Sequence, residues 1–283
     1  YSSVTVDVKG ALGGKDYPFK WELVLNQGIG SGISRPIRVV ECGGNIYVLI
    51  KDFPSNYYIK KFNGSSWSDL PALPAGSSNT KIGAYNNQLH LMDELNHYVW
   101  NGNSWQLLPI QNPRRTTEAS HIIELQGKLH YFRGDAYTPG YFIFDGTSWV
   151  GGDNSSVGTH RTTNAVYVYN DAIHLIYSGG KDYTWNGNEF EDSGFSWGNN
   201  VVSVGNFTMN NVEKLMGVQI NGNAYYRPVS YNGLFVRPEE FYGLKTGTNS
   251  DYLGALSYIS CINNTIYCMT ENKTFKAILV EAD

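Results

Sequence analysis

Hydrophobic residues in this sequence occur in short runs separated by polar turn pairs, a pattern typical of β-strands joined by tight turns. Runs with the helical period are absent. Five times an aromatic residue is followed by Asn-Gly or Asp-Gly and then by a second aromatic. Each copy predicts a β-hairpin, because these turn pairs readily adopt positive φ angles and aromatic residues suit a half-buried pleated surface. The copies are Phe62–Trp67, Trp100–Trp105, Phe144–Trp149, Trp185–Phe190 and Tyr231–Phe235.

The spacing of these hairpins predicts the architecture. Their closing aromatics are 38, 44, 41 and 45 residues apart, which is the period of one β-propeller blade. A second repeated element, a turn followed by an apolar residue and then His or Tyr, predicts the first two strands of a blade, and the aromatic hairpin supplies the other two. The second strands begin at Asn45, Gln88, Lys128, Ala172 and Thr265.

The repeats predict an all-β chain with six four-stranded antiparallel blades, and five blades are the alternative count. The last blade lacks an outer strand before the chain ends, so the strand at 19–23 is expected to close it and to leave few open sheet edges. Residues 19–283 are therefore interpreted as one propeller domain. Residues 1–18 form either a connector to a stalk or an extra strand of the last blade.

The hairpins and second strands resemble those of Kelch-type propellers over about residues 19–281. Only Gly179-Gly180, after the second strand of the fourth repeat, is interpreted as the Gly-Gly doublet of Kelch repeats, which makes the chain a divergent, Kelch-like member. The Asn-Gly-x-Ser-Trp spelling in an Asn-, Gly- and Tyr-rich chain is similar to propeller domains of tail and receptor-binding proteins of phages that infect Gram-positive bacteria. That resemblance implies a propeller on a trimeric stalk that binds cell-wall glycopolymer.

Composition narrows the set of partners. A net charge of −4 with 16% charged residues provides no basic face for nucleic acid. The sequence has no apolar run long enough for membrane insertion and no signal peptide pattern at its start. A chain that begins at Tyr1 indicates an excised domain or a processed product. The three cysteines are predicted to be buried thiols, since a two-residue turn at 263–264 would pair Cys261 with Ile266 and not with Cys268.

The repeated histidines and tryptophans are predicted to be structural. His90, His130 and His174 occupy one position in successive blades, where Tyr47 and Tyr267 stand in others. A metal site needs ligands that converge on one point, and this arrangement disperses them around a ring. No metal, other cofactor or catalytic residue is therefore assigned.

Candidate binding residues lie in the long second-to-third-strand and fourth-to-first-strand connections, which share the face opposite the tight turns. Three arginines there are expected at the channel mouth, where their guanidinium groups suit carboxylate or phosphate; solvated cations paired with residues such as Glu118 are the alternative. Loop aromatics beside polar groups suit sugar rings, although they would equally fold back onto the blades. The predicted ligand-binding residues are Arg35, Arg115, Arg161, Tyr137, Phe195, Trp197 and Tyr242.

The leading functional hypothesis is a non-enzymatic propeller, a phage tail receptor-binding or surface adhesin domain, that binds cell-surface glycan or anionic glycopolymer. A homotrimer held by a stalk and an extracellular or virion-surface location are expected with it, and a cytoplasmic location is the alternative. A structural scaffold of a tail assembly is the second hypothesis. A sialidase-like or other Kelch-type glycan-active enzyme is the third, although no sialidase Asp-box, Gly-x-Ser-x-Gly elbow or P-loop is found in the sequence.

Overall fold

The computed structural model of the chain describes residues 5–6, 19–30, 34–52, 56–74, 79–113, 116, 120–133, 140–152, 163–177, 179–197, 201–209, 212–219, 224–227, 258–269 and 274–279. Every regular element in these residues is a β-strand, and the strands form six antiparallel sheets. The prediction of an all-β chain is confirmed for this part of the protein.

Four of the sheets are the predicted four-stranded blades, each a simple antiparallel meander. After β1 (Thr5–Val6) and β2 (Phe19–Leu25), the first blade contains β3 (Ser34–Cys42), β4 (Asn45–Asp52), β5 (Asn56–Phe62) and β6 (Trp67–Asp69). The second contains β7 (Lys81–Tyr85), β8 (Gln88–Met92), β9 (Asn96–Trp100) and β10 (Trp105–Gln111). The third contains β11 (Ser120–Leu125), β12 (Lys128–Arg133), β13 (Gly140–Phe144) and β14 (Trp149–Gly152), and the fourth contains β15 (Thr163–Tyr169), β16 (Ala172–Tyr177), β17 (Lys181–Trp185) and β18 (Phe190–Ser196).

The other two sheets differ from the predicted blade. The fifth has three strands in the described residues, β19 (Val201–Met209), β20 (Val212–Gln219) and β21 (Ala224–Arg227). The predicted hairpin at 231–235 lies outside the described residues. The sixth sheet has five strands, because β1 and β2 join β22 (Tyr258–Ile262), β23 (Thr265–Met269) and β24 (Thr274–Leu279). The described residues therefore contain four complete four-stranded blades and not six.

The two ends of the chain meet in the sixth sheet, as the sequence predicts. β2 pairs with β24 from Phe19 opposite Leu279 to Leu25 opposite Thr274, and β1 then pairs with β2 through Thr5 and Val6. The outer edge of β24 is thus covered by the N-terminal strand, which removes an open edge that could pair with another chain. The remainder of 1–18 lies outside the described residues.

The turns between first and second strands are two-residue turns with positive φ at both positions, from 46° at Asn263 to 70° at Gly44. This is the type I′ geometry that matches the right-handed twist of the flanking strands. The residue pairs are Gly43-Gly44, Asn86-Asn87, Gln126-Gly127, Asn170-Asp171 and Asn263-Asn264. The last of these turns places Cys261 opposite Ile266, which confirms the predicted register, and all three cysteines are free thiols.

The aromatic hairpins form as predicted in four blades, but their turns have a different geometry. In each, only the glycine has a positive φ, for example 92° at Gly64, and the loop has four residues rather than two. The side chain of Asn63 closes the first loop by accepting hydrogen bonds from the backbone N–H groups of Ser65 (2.9 Å) and Ser66 (2.8 Å). Asn101, Asp145 and Asn186 make the same pair of bonds. Asn or Asp is therefore needed here as an acceptor.

Side chains pack between neighbouring sheets, so the core is a series of layers around the ring. One cluster joins Leu49 and Ile59 of the first blade to Ile82 and Leu91 of the second, and equivalent clusters fill the next three spaces. A further cluster packs Phe62 and its neighbours against the sixth sheet. The flanking aromatics of each hairpin lie opposite each other, with ring centroids 5.0, 5.2, 5.2 and 4.9 Å apart in the four blades.

The first strands of the six sheets surround a central channel. β3, β7, β11, β15, β19 and β22 contact one another in that order, and β22 contacts β3. Each of these strands is the edge of its sheet, so its unpaired backbone edge faces the channel. The arrangement is that of a β-propeller.

Candidate functional site

Most of the predicted ligand-binding residues lie outside the described part of the chain. Arg115, Arg161, Tyr137 and Tyr242 lie outside the described residues. Arg35 is paired with Lys51 in the first blade, and only its backbone is described. These five assignments stay predictions.

Phe195 and Trp197 are described, and both are buried, which corrects their assignment to an exposed sugar-binding surface. Trp197 is 0% exposed and Phe195 is 5% exposed. Their rings meet edge to face at 5.6 Å and pack between the fourth and fifth sheets with Val201 and Leu215. Of the two alternatives for the loop aromatics, this pair folds back onto the blades. The space between the blades beside β18 is apolar, so packing there removes both rings from water.

A buried polar cluster explains the position of Trp197. Its indole N–H donates to Asp182 Oδ2 at 2.9 Å, and the hydroxyl of Tyr167 donates to the same oxygen. The other carboxylate oxygen of Asp182 lies 2.8 Å from Nδ1 of His174. A carboxylate that is 0% exposed must have such partners, since burial without them is costly. The cluster ties three strands of the fourth blade to the residue that follows it.

The other repeated histidines are also held within their own blades. Nδ1 of His90 lies 2.8 Å from Nε2 of His97, and Nδ1 of His130 lies 2.8 Å from the hydroxyl of Tyr141. Burial lowers the pKa of His90 to about 4, and burial together with His90 lowers that of His97 to about 3. These partners support the structural interpretation of the histidines. Among the described residues, no three His, Cys, Asp or Glu side chains converge to hold a metal ion.

A cavity of about 500 Å³ occupies the centre of the ring, a size that suits a small molecule. All six first strands contribute to its wall. Its apolar lining includes Val39, Ile122 and Val166, and its polar lining includes the residues Arg38, Glu41, Glu124, Gln126, Asp171 and Asn206. The channel is therefore a concave site to which all six sheets contribute.

Side chains of the first strands bond to backbone carbonyls in the first strands of other sheets. The guanidinium of Arg38 in β3 donates to the carbonyl oxygens of Ile122 (2.9 Å) and Val166 (3.4 Å), in the third and fourth blades. Asn206 donates to the carbonyl of Val168, Ser203 to that of Ile259, and Tyr258 to that of Pro36. These bonds satisfy backbone acceptors that no strand covers, and they link sheets that are distant in sequence.

Ionisable groups in the channel have perturbed pKa values. Burial lowers the pKa of Arg38 to about 10, so the guanidinium remains charged at neutral pH. Burial raises the pKa of Glu41 and of Glu124. Burial, with a contribution from the charge of Glu41, raises the pKa of Cys261 to about 11, so this thiol is protonated at neutral pH and is a poor nucleophile.

Sequence reasoning missed Arg38, although a signal for it exists. Arg38, Lys81 and His121 each lie five residues before the first residue of the tight turn in their blade. Because the turns set the register of every first strand, equal spacing places these residues at one level of the channel. Candidate residues taken from the irregular loops do not include this regular strand position.

The described residues contain no helix long and apolar enough to cross a membrane. No protein-family model matches the sequence, and a search of curated proteins found no match. The Kelch-like assignment therefore rests on the sequence resemblance alone.

Solved structures share the fold. Aleuria aurantia lectin in complex with Fucα1-6GlcNAc is similar with a TM-score of 0.56 and 11% identity, over 88% of this chain and 92% of the lectin. The SapL1 lectin in complex with α-methyl fucoside has a TM-score of 0.52 and 12% identity, over 89% of this chain and 98% of that one. A streptogramin B lyase has a TM-score of 0.55 and 8% identity, over 93% of this chain and 98% of that one. These similarities define the class as β-propeller, in agreement with the sheets around the channel.

Proposed function

We propose that this protein is a non-enzymatic carbohydrate-binding β-propeller. The observation that carries the proposal is the similarity of fold, over most of both chains, to two lectins solved with fucosides. Low charge, abundant Tyr and Asn, and the polar loops of the sequence support the same function, since sugar rings are bound by aromatic faces beside amide and hydroxyl groups.

The binding surface that we propose is the loop face opposite the tight turns. Tyr137 and Tyr242 stack on sugar rings there, and Arg35, Arg115 and Arg161 bond to acidic groups of the ligand. Phe195 and Trp197 are excluded from it because they are buried. The ligand is a cell-surface glycan or anionic glycopolymer.

The finer architecture and context belong to the same proposal. The six sheets are six blades of one divergent Kelch-like domain, with the fourth strand of the fifth blade in the segment after β21. The propeller is the receptor-binding domain of a phage tail or a similar surface adhesin, carried as a trimer on a stalk and acting in host attachment at the virion surface.

A glycan array that includes fucosides, sialosides and teichoic acids tests the binding proposal. We expect saturable binding to at least one glycan class and a loss of about tenfold or more in Arg115→Ala and Tyr242→Ala, the size of effect produced by one removed charge-assisted bond or stacked ring. Lys128→Ala is the matched control, because Lys128 is exposed beside a tight turn on the opposite face.

Other outcomes separate the alternatives. Unchanged binding in both variants would remove the proposed surface while leaving the lectin function intact. Release of sugar from a sialoside would replace the binding function with an enzymatic one. Binding to a neighbouring tail protein without any glycan would favour the structural scaffold.

A further inference from the structure

Three consecutive blades carry a basic residue at the same position of the strand that borders the central channel. Arg38, Lys81 and His121 occupy equivalent positions on β3, β7 and β11, five residues before the tight turn. The corresponding residues of the remaining sheets, Ala165, Gly205 and Tyr258, carry no positive charge. The positive charges are therefore gathered on one half of the ring.

The electrostatic effects on His121 show that the three groups are close enough to interact. Burial lowers the pKa of His121 well below its usual value, and the positive charges of Lys81 and Arg38 lower it further. Arg38 itself donates to the backbone carbonyls of Ile122 and Val166. None of the ion pairs recorded between described residues gives Arg38 a carboxylate partner.

Two buried nitrogen atoms at this level have no hydrogen-bond partner within the described residues. They are Nε of Arg38 and Nε2 of His121. Arg38 lines the cavity, and His121 directly precedes Ile122, which also lines it. A buried donor or acceptor without a partner costs about 1–3 kcal/mol, so an unpartnered nitrogen on the cavity wall and a second one next to the wall indicate a site completed by a bound group. An oxyanion would accept from the guanidinium and from the N–H of a suitably tautomeric imidazole, and its negative charge would offset the positive charges of Arg38 and Lys81.

The opposite end of the cavity is acidic. Glu41 and Glu124 lie two residues before their turns, three residues from the basic level, and both line the cavity. At roughly 3.3 Å per strand residue the two levels are about 10 Å apart. A molecule that spans them would present an acid group to the basic level and hydroxyl or ammonium donors to the carboxyl groups.

We propose that the Arg38–Lys81–His121 level binds the carboxylate or phosphate group of a small molecule that occupies the central channel. This channel site is distinct from the loop surface proposed for glycan. Arg38 and Lys81 act as charge-assisted donors and the imidazole of His121 as a further donor, and the apolar walls formed by Val39, Ile122 and Val166 exclude water from the bound group.

The test uses inorganic phosphate and acetate as probes of the two acid groups. The protein, in a buffer free of other oxyanions, is titrated with each probe while the histidine ring resonances are followed by NMR. We expect a saturable shift of the His121 resonance and a rise in the pKa of His121, because a bound anion stabilises the imidazolium. A response to phosphate alone or to acetate alone identifies which acid group the site accepts.

Substitutions show whether the response comes from this site. Arg38→Gln is expected to weaken probe binding at least tenfold and Lys81→Gln several-fold, whereas the surface control Lys128→Gln leaves it unchanged. If Arg38→Gln fails to fold because its hydrogen bonds to the carbonyls are lost, Lys81→Gln is the variant that tests the proposal. The proposal would be overturned if neither probe produced a saturable shift of the His121 resonance, or if the native protein and Lys81→Gln bound the probe equally. Neither result depends on whether the loops bind glycan.

Discussion

The indole N–H of Trp197 donates to the carboxylate of Asp182 at 2.9 Å, and both side chains are 0% exposed. This bond connects the first residue after β18 to the middle of the fourth blade. The backbone N–H of Trp197 extends the pairing of β17 with β18 by donating to the carbonyl of Gly180 at 2.7 Å. Trp197 is therefore a structural residue that holds the exit of the fourth blade against the fifth sheet.

Replacement of Trp197 by Phe should destabilise the protein by about 1–3 kcal/mol, because it removes one of the donors that solvate a buried carboxylate. The change is measured as a shift in the midpoint of urea unfolding. Trp105→Phe is the matched control, since the buried indole nitrogen of Trp105 has no hydrogen-bond partner within the described residues. Equal losses in the two variants would contradict a specific role for the bond to Asp182.

Gly217 leaves room for the ring of Trp197, and its replacement by Ala tests that close contact. A Cβ atom at Gly217 would lie 2.6 Å from Cζ3 of Trp197, which the packed ring cannot avoid without moving. We expect Gly217→Ala to cost about 1–3 kcal/mol by overpacking. Gly205→Ala is the control, because a Cβ there meets its nearest atom at 3.5 Å. Calorimetric melting temperatures of the two variants provide the comparison.

The aromatic hairpins depend on their Asn or Asp acceptor. Asn101→Ala removes an acceptor of two backbone bonds, to Asn103 (2.9 Å) and Ser104 (2.8 Å), and should cost about 0.5–2 kcal/mol by analogy with the loss of a cap. Asn101→Asp should retain stability, since Asp145 fills this position in the third blade. Chemical denaturation of both variants provides the measurement, and an Asp variant as unstable as the Ala variant would contradict the acceptor role.

Stability should fall with acidification through His90 and His97. Their pKa values in the folded protein, about 4 and about 3, lie below the value of about 6.5 expected for an unfolded histidine. The unfolded chain therefore binds more protons as pH falls below about 6.5, and each histidine reduces the free energy of unfolding by about 1.4 kcal/mol per pH unit until its folded pKa is approached.

Urea unfolding of the native protein and of His97→Gln at several pH values between 7 and 4.5 tests this effect. The variant should show a shallower loss of stability, and the difference between the two proteins separates the histidine contribution from that of carboxyl groups. Parallel pH dependences in the two proteins would show that His97 does not titrate in this way.

The local structure of the blades was predictable from sequence because it depends on near neighbours. The turn pairs at 86–87 and 263–264 specify type I′ hairpins, and the turn at 263–264 was enough to place Cys261 opposite Ile266. The pairing of β2 with β24 was also predictable, since the repeat lacked one strand at its end. The geometry of the Asn-Gly loops was only partly anticipated, because the acceptor role of Asn63 is a side-chain effect that turn propensity does not specify.

The sequence by itself determined the strands, their turns and the order of the sheets, since short-range turn chemistry and a repeated pattern of apolar residues specify these. Only the tertiary structure decided the environment of each side chain. Phe195 and Trp197 look like exposed loop aromatics in sequence, yet the space between two sheets buries them. Arg38, Lys81 and His121 are far apart along the chain and become one level of a channel because six edges meet around it. Burial and convergence arise from contacts between sheets, and no local pattern encodes them.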